Sequence, residues 1–401
     1  MTRNQVQRVP GTQDIIDQEH GLMSAAIDLI SSLFTKNNYA MIDTPILEKT
    51  ELFVRKSGGE LTGRLYNFID PGGLRVSLRP EFTSSVIRHY VEHQDAMSSL
   101  VRWQYAGPVF RYENEDATGF RQFTQVGAEL IGGSEFEADA EIISLALSGL
   151  ETIGLKDTQV RIGNVGILRQ LLSNNDLSES AIAFVVANTQ SLKNGESSVS
   201  DLMDRAAAVG ILKIGDADFP KSEQSGDEFS GEFLEQVVSE SLDRSYGRRT
   251  AKEIVDRLKR KMFEADDPKA LKTALDLTAE ICGLEGNPDQ VIEKYLELAG
   301  SHGIQTNALG GITKLMSSLT DAGIENTKIA LDLGLVRDLS YYTGLTFDLL
   351  ANSSTSPVRV GGGGRYDGLV KALGGEHVPA LGFAYSLDDI VIANREEASK
   401  S

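Results

Sequence analysis

The segment Phe120-Arg-Gln-Phe-Thr-Gln-Val-Gly-Ala-Glu-Leu-Ile131 alternates as a β-strand does, and it loads one face with groups capable of chemistry. Arg121, Gln125 and Glu129 share that face with Gly127 between them, while Val126, Ala128 and Leu130 point the other way. One face can pack. The other presents a guanidinium, an amide and a carboxylate around a small gap. A solvent-facing strand would show the same pattern, but that reading weakens because Glu81, Thr83, Arg111, Arg337, Tyr341 and Tyr342 occur in similar strand-end settings. No other reactive residues form such a set. His89 and His93 stand at i, i+4 on a predicted helix, a spacing that can bind a metal. With no third ligand evident in the sequence, they read as structural or surface histidines, and no metal site is expected. The Ser, His and Asp residues show no nucleophile elbow.

Several elements must position these groups. Residues 18–38 place Leu22, Ala26, Leu29, Ile30, Leu33 and Phe34 at helical spacing. Tyr39 to Pro45 reads as a short strand ending at the proline, and 74–79 as another. From Pro80 a helix runs towards His93. Strands over 100–112 and 120–131 are joined by the polar stretch Glu113 to Gly119. Helices follow at 135–153 and 165–172, and from about 176 to 330 the patterns are mostly helical and less regular. Within that stretch, Lys213 to Gly231 is rich in Asp, Glu, Ser and Gly and reads as a loop or partly disordered. Strand patterns return at 329–337 and 341–350. Gly361 to Gly364 then lead to a helix at about 366–373, a strand near Ala380 to Ala384, and a polar tail from Asn394. Strand-rich ends enclosing a helical middle predict an α+β fold, an antiparallel sheet closed by distant chain segments and flanked by helices, with an insertion. The expected division is a core of 1–160 and 325–395, a mostly helical insertion over 161–324, and a tail of 396–401.

The 401 residues, 41% hydrophobic, suffice for a large domain and a smaller one. No apolar run reaches a membrane span, and the first residues lack a signal-peptide pattern. With Cys282 as the single cysteine no disulfide can form within the chain, so a cytoplasmic location is expected. The net charge of −19 weighs lightly against a large nucleic-acid surface. Arg244 to Lys261 contains eight Lys or Arg residues among acidic ones, and reads as a solvated helix face before an RNA contact.

Taken in order, the motifs carry a family resemblance. Ser77-Leu-Arg-Pro-Glu-Phe-Thr83, Gly107-Pro-Val-Phe-Arg-Tyr-Glu113 and Arg121 to Glu129 look like motif 2 of the class II histidyl-tRNA synthetases. Val336-Arg-Asp-Leu-Ser-Tyr-Tyr-Thr-Gly344 resembles that family's histidine-recognition segment. Gly361-Gly-Gly-Gly-Arg-Tyr-Asp-Gly-Leu369 and Pro379-Ala-Leu-Gly-Phe-Ala384 resemble its glycine loop and motif 3 strand. Pro10-Gly-Thr-Gln-Asp14 and Tyr39 to Pro45 resemble its N-terminal elements, including the motif 1 dimer segment. A lone glycine run is a weak signal; this ordered set, over roughly 1–135 and 330–392, is a strong one. The resemblance implies histidine as ligand. Glu81, Thr83 and Gln125 would hold the ammonium, Arg337 would face the carboxylate, and Glu129 and Tyr342 would bond the ring nitrogens with Tyr341 beside them. Arg111 would belong to the same site. Such charge-assisted bonds contribute about 1.5–3 kcal/mol each.

The departures from the family pattern matter as much. The arginine that supports ATP on the motif 3 helix is matched here by Asp389, and the motif 2 loop reads Glu113-Asn-Glu-Asp-Ala-Thr-Gly119, acidic where it is normally basic. Phe82 replaces a glycine between Glu81 and Thr83, and Ser340 an aspartate before the tyrosine pair. An anticodon-binding domain is also expected to be missing after motif 3. Histidine recognition without nucleotide chemistry resembles the regulatory subunit of ATP phosphoribosyltransferase. That resemblance implies no catalytic residues and no cofactor, and as partners L-histidine and a short-form catalytic subunit. The chain would form a homodimer within a hetero-oligomer, with tRNA not an expected partner. The glycine loop and the segment 113–120 would be the moving parts. The alternative is a histidyl-tRNA synthetase lacking its anticodon-binding domain.

Overall fold

The computed structural model describes residues 6–55, 58–113, 120–133, 136–173, 175, 177–212, 266–302, 306, 309–337, 341–352 and 357–398. Three sequence readings fall outside these: most of the acidic loop, Ser340, and the whole of 213–265 with its loop and basic stretch. The chain forms two compact units, one of 1–168 with 282–401 and one of 169–281. The sequence reading instead places the divisions at 160 and 325. The difference arises because strands and helices on both flanks of the helical middle belong to the larger unit.

The larger unit begins with α1 (Asp17–Lys36), which carries Asp17 and Glu19 in its first turn and Lys36 in its last, matching the helix dipole. Its buried stripe is Met23, Ile30 and Phe34. The strand expected over Tyr39 to Pro45 is only β1 (Ala40–Met41). A small antiparallel sheet then places β4 (Arg75–Leu78) between β2 (Leu47–Lys49) and β3 (Asn67–Ile69). Helix α2 (Thr50–Val54) and α3 (Gly58–Gly63) lie between these strands in sequence. From β4 the chain passes through Pro80 into α4 (Thr83–His93), as the proline predicts.

The main sheet is built on a long hairpin, β5 (Val101–Phe110) and β6 (Gln122–Ile131), in register from Val101 opposite Ile131 to Phe110 opposite Gln122. Helix α5 (Glu137–Thr152) follows, and then β7 (Thr158–Asn164), a strand the sequence reading omits. Later segments complete the sheet: β8 (Glu285–Gly286), β9 (Ile329–Asp332), β10 (Leu345–Ala351), β11 (Val358–Arg365) and β12 (Ala380–Ser386). The nine strands run β1-β5-β6-β12-β11-β10-β7-β9-β8, antiparallel except for the β1–β5 and β7–β9 pairs. This is the mixed α+β architecture with a mostly antiparallel sheet that the patterns predict.

Two readings need correction. Gly361 to Gly364 are not a loop: they lie within β11, hydrogen-bonded to β10 on one side and β12 on the other, and so cannot swing as a flap. The alternation along β6 also fails as a guide to exposure. The strand is central, covered on both faces, and every residue from Gln125 to Ile131 is buried.

The smaller unit is helical among its described residues. α6 (Glu179–Lys193) and α7 (Val199–Ala208) start at Ser178 and Ser198, whose hydroxyls accept backbone N–H groups at Ala181 and Asp201. Leu202, Ala206, Leu271, Ala274 and Leu275 are fully buried there.

Candidate functional site

Where β6 meets β12 the backbones approach closely, and glycines make this possible. A Cβ on Gly382 would lie 1.7 Å from Oε2 of Glu129, and one on Gly127 would lie 2.6 Å from the Tyr105 hydroxyl. The two missing side chains leave the space that Glu129 and its partners occupy.

Glu129 is fully enclosed. Its Oε1 accepts from Thr83 Oγ1 at 2.7 Å and from the Tyr105 hydroxyl at 2.9 Å, and its Oε2 accepts from the Tyr366 hydroxyl. When ionised the carboxylate has four lone-pair positions, so three donors leave one for a ligand. Burial pushes the Glu129 carboxyl up to about 8, against the opposing pull of the Tyr366, Thr83 and Tyr105 hydrogen bonds. Burial likewise holds the Tyr105 and Tyr366 hydroxyls far above their ordinary value, so they stay donors.

Glu81 sits just ahead of α4, and both its carboxylate oxygens accept the Ser84 N–H, at 3.1 and 3.2 Å. It thus satisfies one orphan amide of the helix terminus. Burial raises its carboxyl too, while Ser84 and the nearby Arg111 charge pull it down. Two buried carboxyls with raised values in one recess mark a functional centre more than a stabilising one.

The recess above them is lined by Glu81, Thr83, Arg111, Gln125, Arg337, Tyr341 and Tyr342, with Tyr105, Tyr366, Arg359 and Asp389 completing its wall. Seven of the sequence-selected residues therefore line one cavity, and the eighth, Glu129, lies immediately beneath it. Gln125 Oε1 is buried with no hydrogen-bond partner, an acceptor held ready for a ligand donor. Arg111 donates from Nε to the Pro80 carbonyl at 2.9 Å and lies over the Phe123 ring. Arg337 donates to the Phe347 carbonyl at 2.9 Å and is ion-paired with Asp348 of β10. A ligand carboxylate would share this guanidinium with Asp348, which its five donors allow. Tyr341 packs against Tyr342 and edge-on against Tyr366, with ring centroids 4.9 and 5.6 Å apart. The recess thus offers acceptors for a cationic group, cations for an anionic group, and one buried acceptor at its floor. This suits a small zwitterion with a polar side chain.

Arg121, the third polar residue on the predicted strand face, is elsewhere. The strand starts at Gln122, and Arg121 donates to the Glu113 carbonyl at 2.8 Å and covers the Tyr112 ring. Sequence reasoning missed Tyr105 and Tyr366. Tyr105 faces Gly127 across the hairpin, so only the register reveals it. Tyr366 directly follows the glycine–arginine end of β11, a run visible in the sequence but given no role there. Phe82 is fully buried and stacks on Tyr105 at 4.3 Å, with the Arg79 guanidinium on its ring. It fills space below the cavity and is not part of the lining.

The family model for histidyl-tRNA synthetase matches residues 11–208 and 235–390. Among curated relatives, histidine–tRNA ligase from Methanocaldococcus jannaschii is 30% identical over 386 residues, covering 96% of this chain and 75% of the relative. The ligase from Thermococcus kodakarensis is 29% identical over 386 residues, covering 96% and 73%. Two solved structures share the fold. A Bacillus halodurans protein named ATP phosphoribosyltransferase regulatory subunit/histidyl-tRNA synthetase superposes with a TM-score of 0.68 at 23% identity, over 96% of this chain and 83% of that one. A histidine–tRNA ligase subunit from Alicyclobacillus acidocaldarius gives 0.62 at 23% identity, over the whole of both chains.

Proposed function

The chain belongs to the histidyl-tRNA synthetase family, and from that premise we propose that it is a non-catalytic, histidine-sensing regulatory subunit of ATP phosphoribosyltransferase. It would act beside a short catalytic subunit at the first step of histidine biosynthesis, conferring activity on that subunit and inhibition by histidine. The observation that carries this reading is Asp389 on the wall of a recess whose other polar groups would suit an amino acid. At about 5 Å and an effective dielectric near 20, a carboxylate and one phosphate charge repel by about 3 kcal/mol. An arginine there would attract by a similar amount, so the reversal opposes ATP binding without touching the histidine groups. In the reading proposed, Glu129 accepts an imidazole N–H, Glu81 and Gln125 take the ammonium, and Arg337 takes the carboxylate.

A second reading, an active synthetase, is favoured by the names of the 28–30% identical relatives and by the retained Arg111. Two assays separate them. Histidine-dependent exchange of pyrophosphate into ATP should stay at background; a clear signal supports the synthetase and removes the regulatory reading. Mixed with a short ATP phosphoribosyltransferase from the same organism, the chain should co-elute with it, raise its activity and make it histidine-sensitive. Separate elution with unchanged activity would reject the assignment.

A further inference from the structure

Helix α4 carries Thr83 of the recess at its first turn and an unrelated cluster at its last. His89, Glu92 and His93 stand at i, i+3 and i+4, so all three share one helix face. One ligand atom from each lies within 4.8 Å of the other two. Zinc holds nitrogen and oxygen ligands at about 2.0–2.2 Å, which sets tetrahedral neighbours about 3.3 Å apart. The exposed Glu92 and His93 side chains would have to rotate to close that difference.

Two of the three side chains already make contacts compatible with ligation. His93 Nδ1 is 2.9 Å from the His89 carbonyl, which can only accept, so a neutral ring bonded this way would offer Nε2 as its ligand atom. The His89 ring lies 5.4 Å from Trp103 of β5 and 4.4 Å from the His93 ring, which fixes its orientation. Glu92 is held through Oε2, which accepts from Arg88 at 2.6 Å, and its Oε1 remains for another partner. Arg88 is also paired at 2.9 Å with Glu48 of β2, so its charge is offset before a second cation arrives. Across Arg88, Glu48 and Glu92 the local sum is one negative charge, which favours a divalent ion.

We propose that His89, Glu92 and His93 form a surface binding site for a divalent transition metal of the zinc and nickel class, with water filling the remaining positions. Two imidazoles and one carboxylate select such borderline ions over calcium or magnesium, which prefer all-oxygen shells. Bound metal would tie the last turn of α4 together, i to i+4, at the end opposite Thr83. The site is independent of the function assigned to the recess.

Trp103 is the chain's single tryptophan and lies beside His89, so it reports this site directly. Titrating the full-length protein with nickel should quench its fluorescence saturably, with one equivalent per chain, and zinc should reverse the quenching. His89→Ala and His93→Ala should each weaken binding at least about tenfold, and Glu92→Gln, which is isosteric and surface-exposed, at least about threefold. Far-UV circular dichroism of each variant tests that α4 persists. No saturable quenching, or quenching undiminished in the double histidine variant, would overturn the site. Loss with the histidine variants but unchanged binding in Glu92→Gln would overturn the three-ligand assignment.

Discussion

Glu129→Gln should separate ligand binding from stability in opposite directions. In the folded chain Glu129 titrates at about 8, against an ordinary value of 4.5, because burial disfavours its charge. Between those values the folded state holds a proton that the unfolded state has released, so stability falls as pH rises from 4.5 and levels off above 8. At about 1.4 kcal/mol per unit, the wild-type cost reaches about 3 kcal/mol at pH 7 and approaches about 5 kcal/mol beyond pH 8. Glutamine keeps the shape, still accepts from two hydroxyls and carries no charge. Urea unfolding of wild type and variant at pH 5, 6, 7 and 8 should therefore show the variant gaining relative to wild type at each step. Calorimetry at pH 8 should show histidine affinity falling by at least about fivefold, through loss of the charged acceptor. A stability difference that stays flat from pH 5 to 8 would refute the buried-carboxylate account. Unchanged histidine affinity would refute the ring contact.

Three further outcomes follow from the same geometry. Gly382→Ala would place a methyl 1.7 Å from Glu129 Oε2 and 2.6 Å from the Ala128 carbonyl, so it should abolish histidine binding and cost about 1–3 kcal/mol in urea unfolding. Tyr366→Phe removes a donor that lowers the Glu129 value, so the pH at which histidine affinity rises should move upward, as calorimetry between pH 6 and 9 would show. Arg365 is buried and bonds Asp139 at 2.6 and 3.0 Å; Arg365→Leu strands that carboxylate and should cost about 3–5 kcal/mol, read as a lower melting temperature.

Much of this site was legible because it is written in residue types that only a polar recess requires. Glu81, Thr83, Gln125, Glu129 and the tyrosine pair are polar groups next to apolar strands, and the structure brings all but Glu129 to one cavity, with Glu129 beneath it. Pro80 ahead of α4 and the apolar spacing of α1 gave those elements within a few residues, since both signals are local. What was misread depends on neighbours. The glycines of β11 look like a loop because glycine weakens strands when nothing else acts; here β10 and β12 pair with them on both sides, and the close approach of backbone and side chains excludes anything larger. Arg121 left the predicted face because the strand begins at Gln122, two residues later than the pattern places it.

The amino-acid sequence by itself determined the chemistry available: which carboxylates, hydroxyls and guanidiniums exist, and that position 389 carries a carboxylate. Only the tertiary structure decided which of them meet. Tyr105 reaches Glu129 through the β5–β6 register and Tyr366 arrives from 237 residues away, whereas Glu92 stands beside His89 and His93 by helix periodicity, a local signal. The physical reason is that hydrogen bonding and burial depend on distance and dielectric, both properties of the packed chain. A carboxylate near 8 is a consequence of the water that packing removes, and no local pattern encodes that.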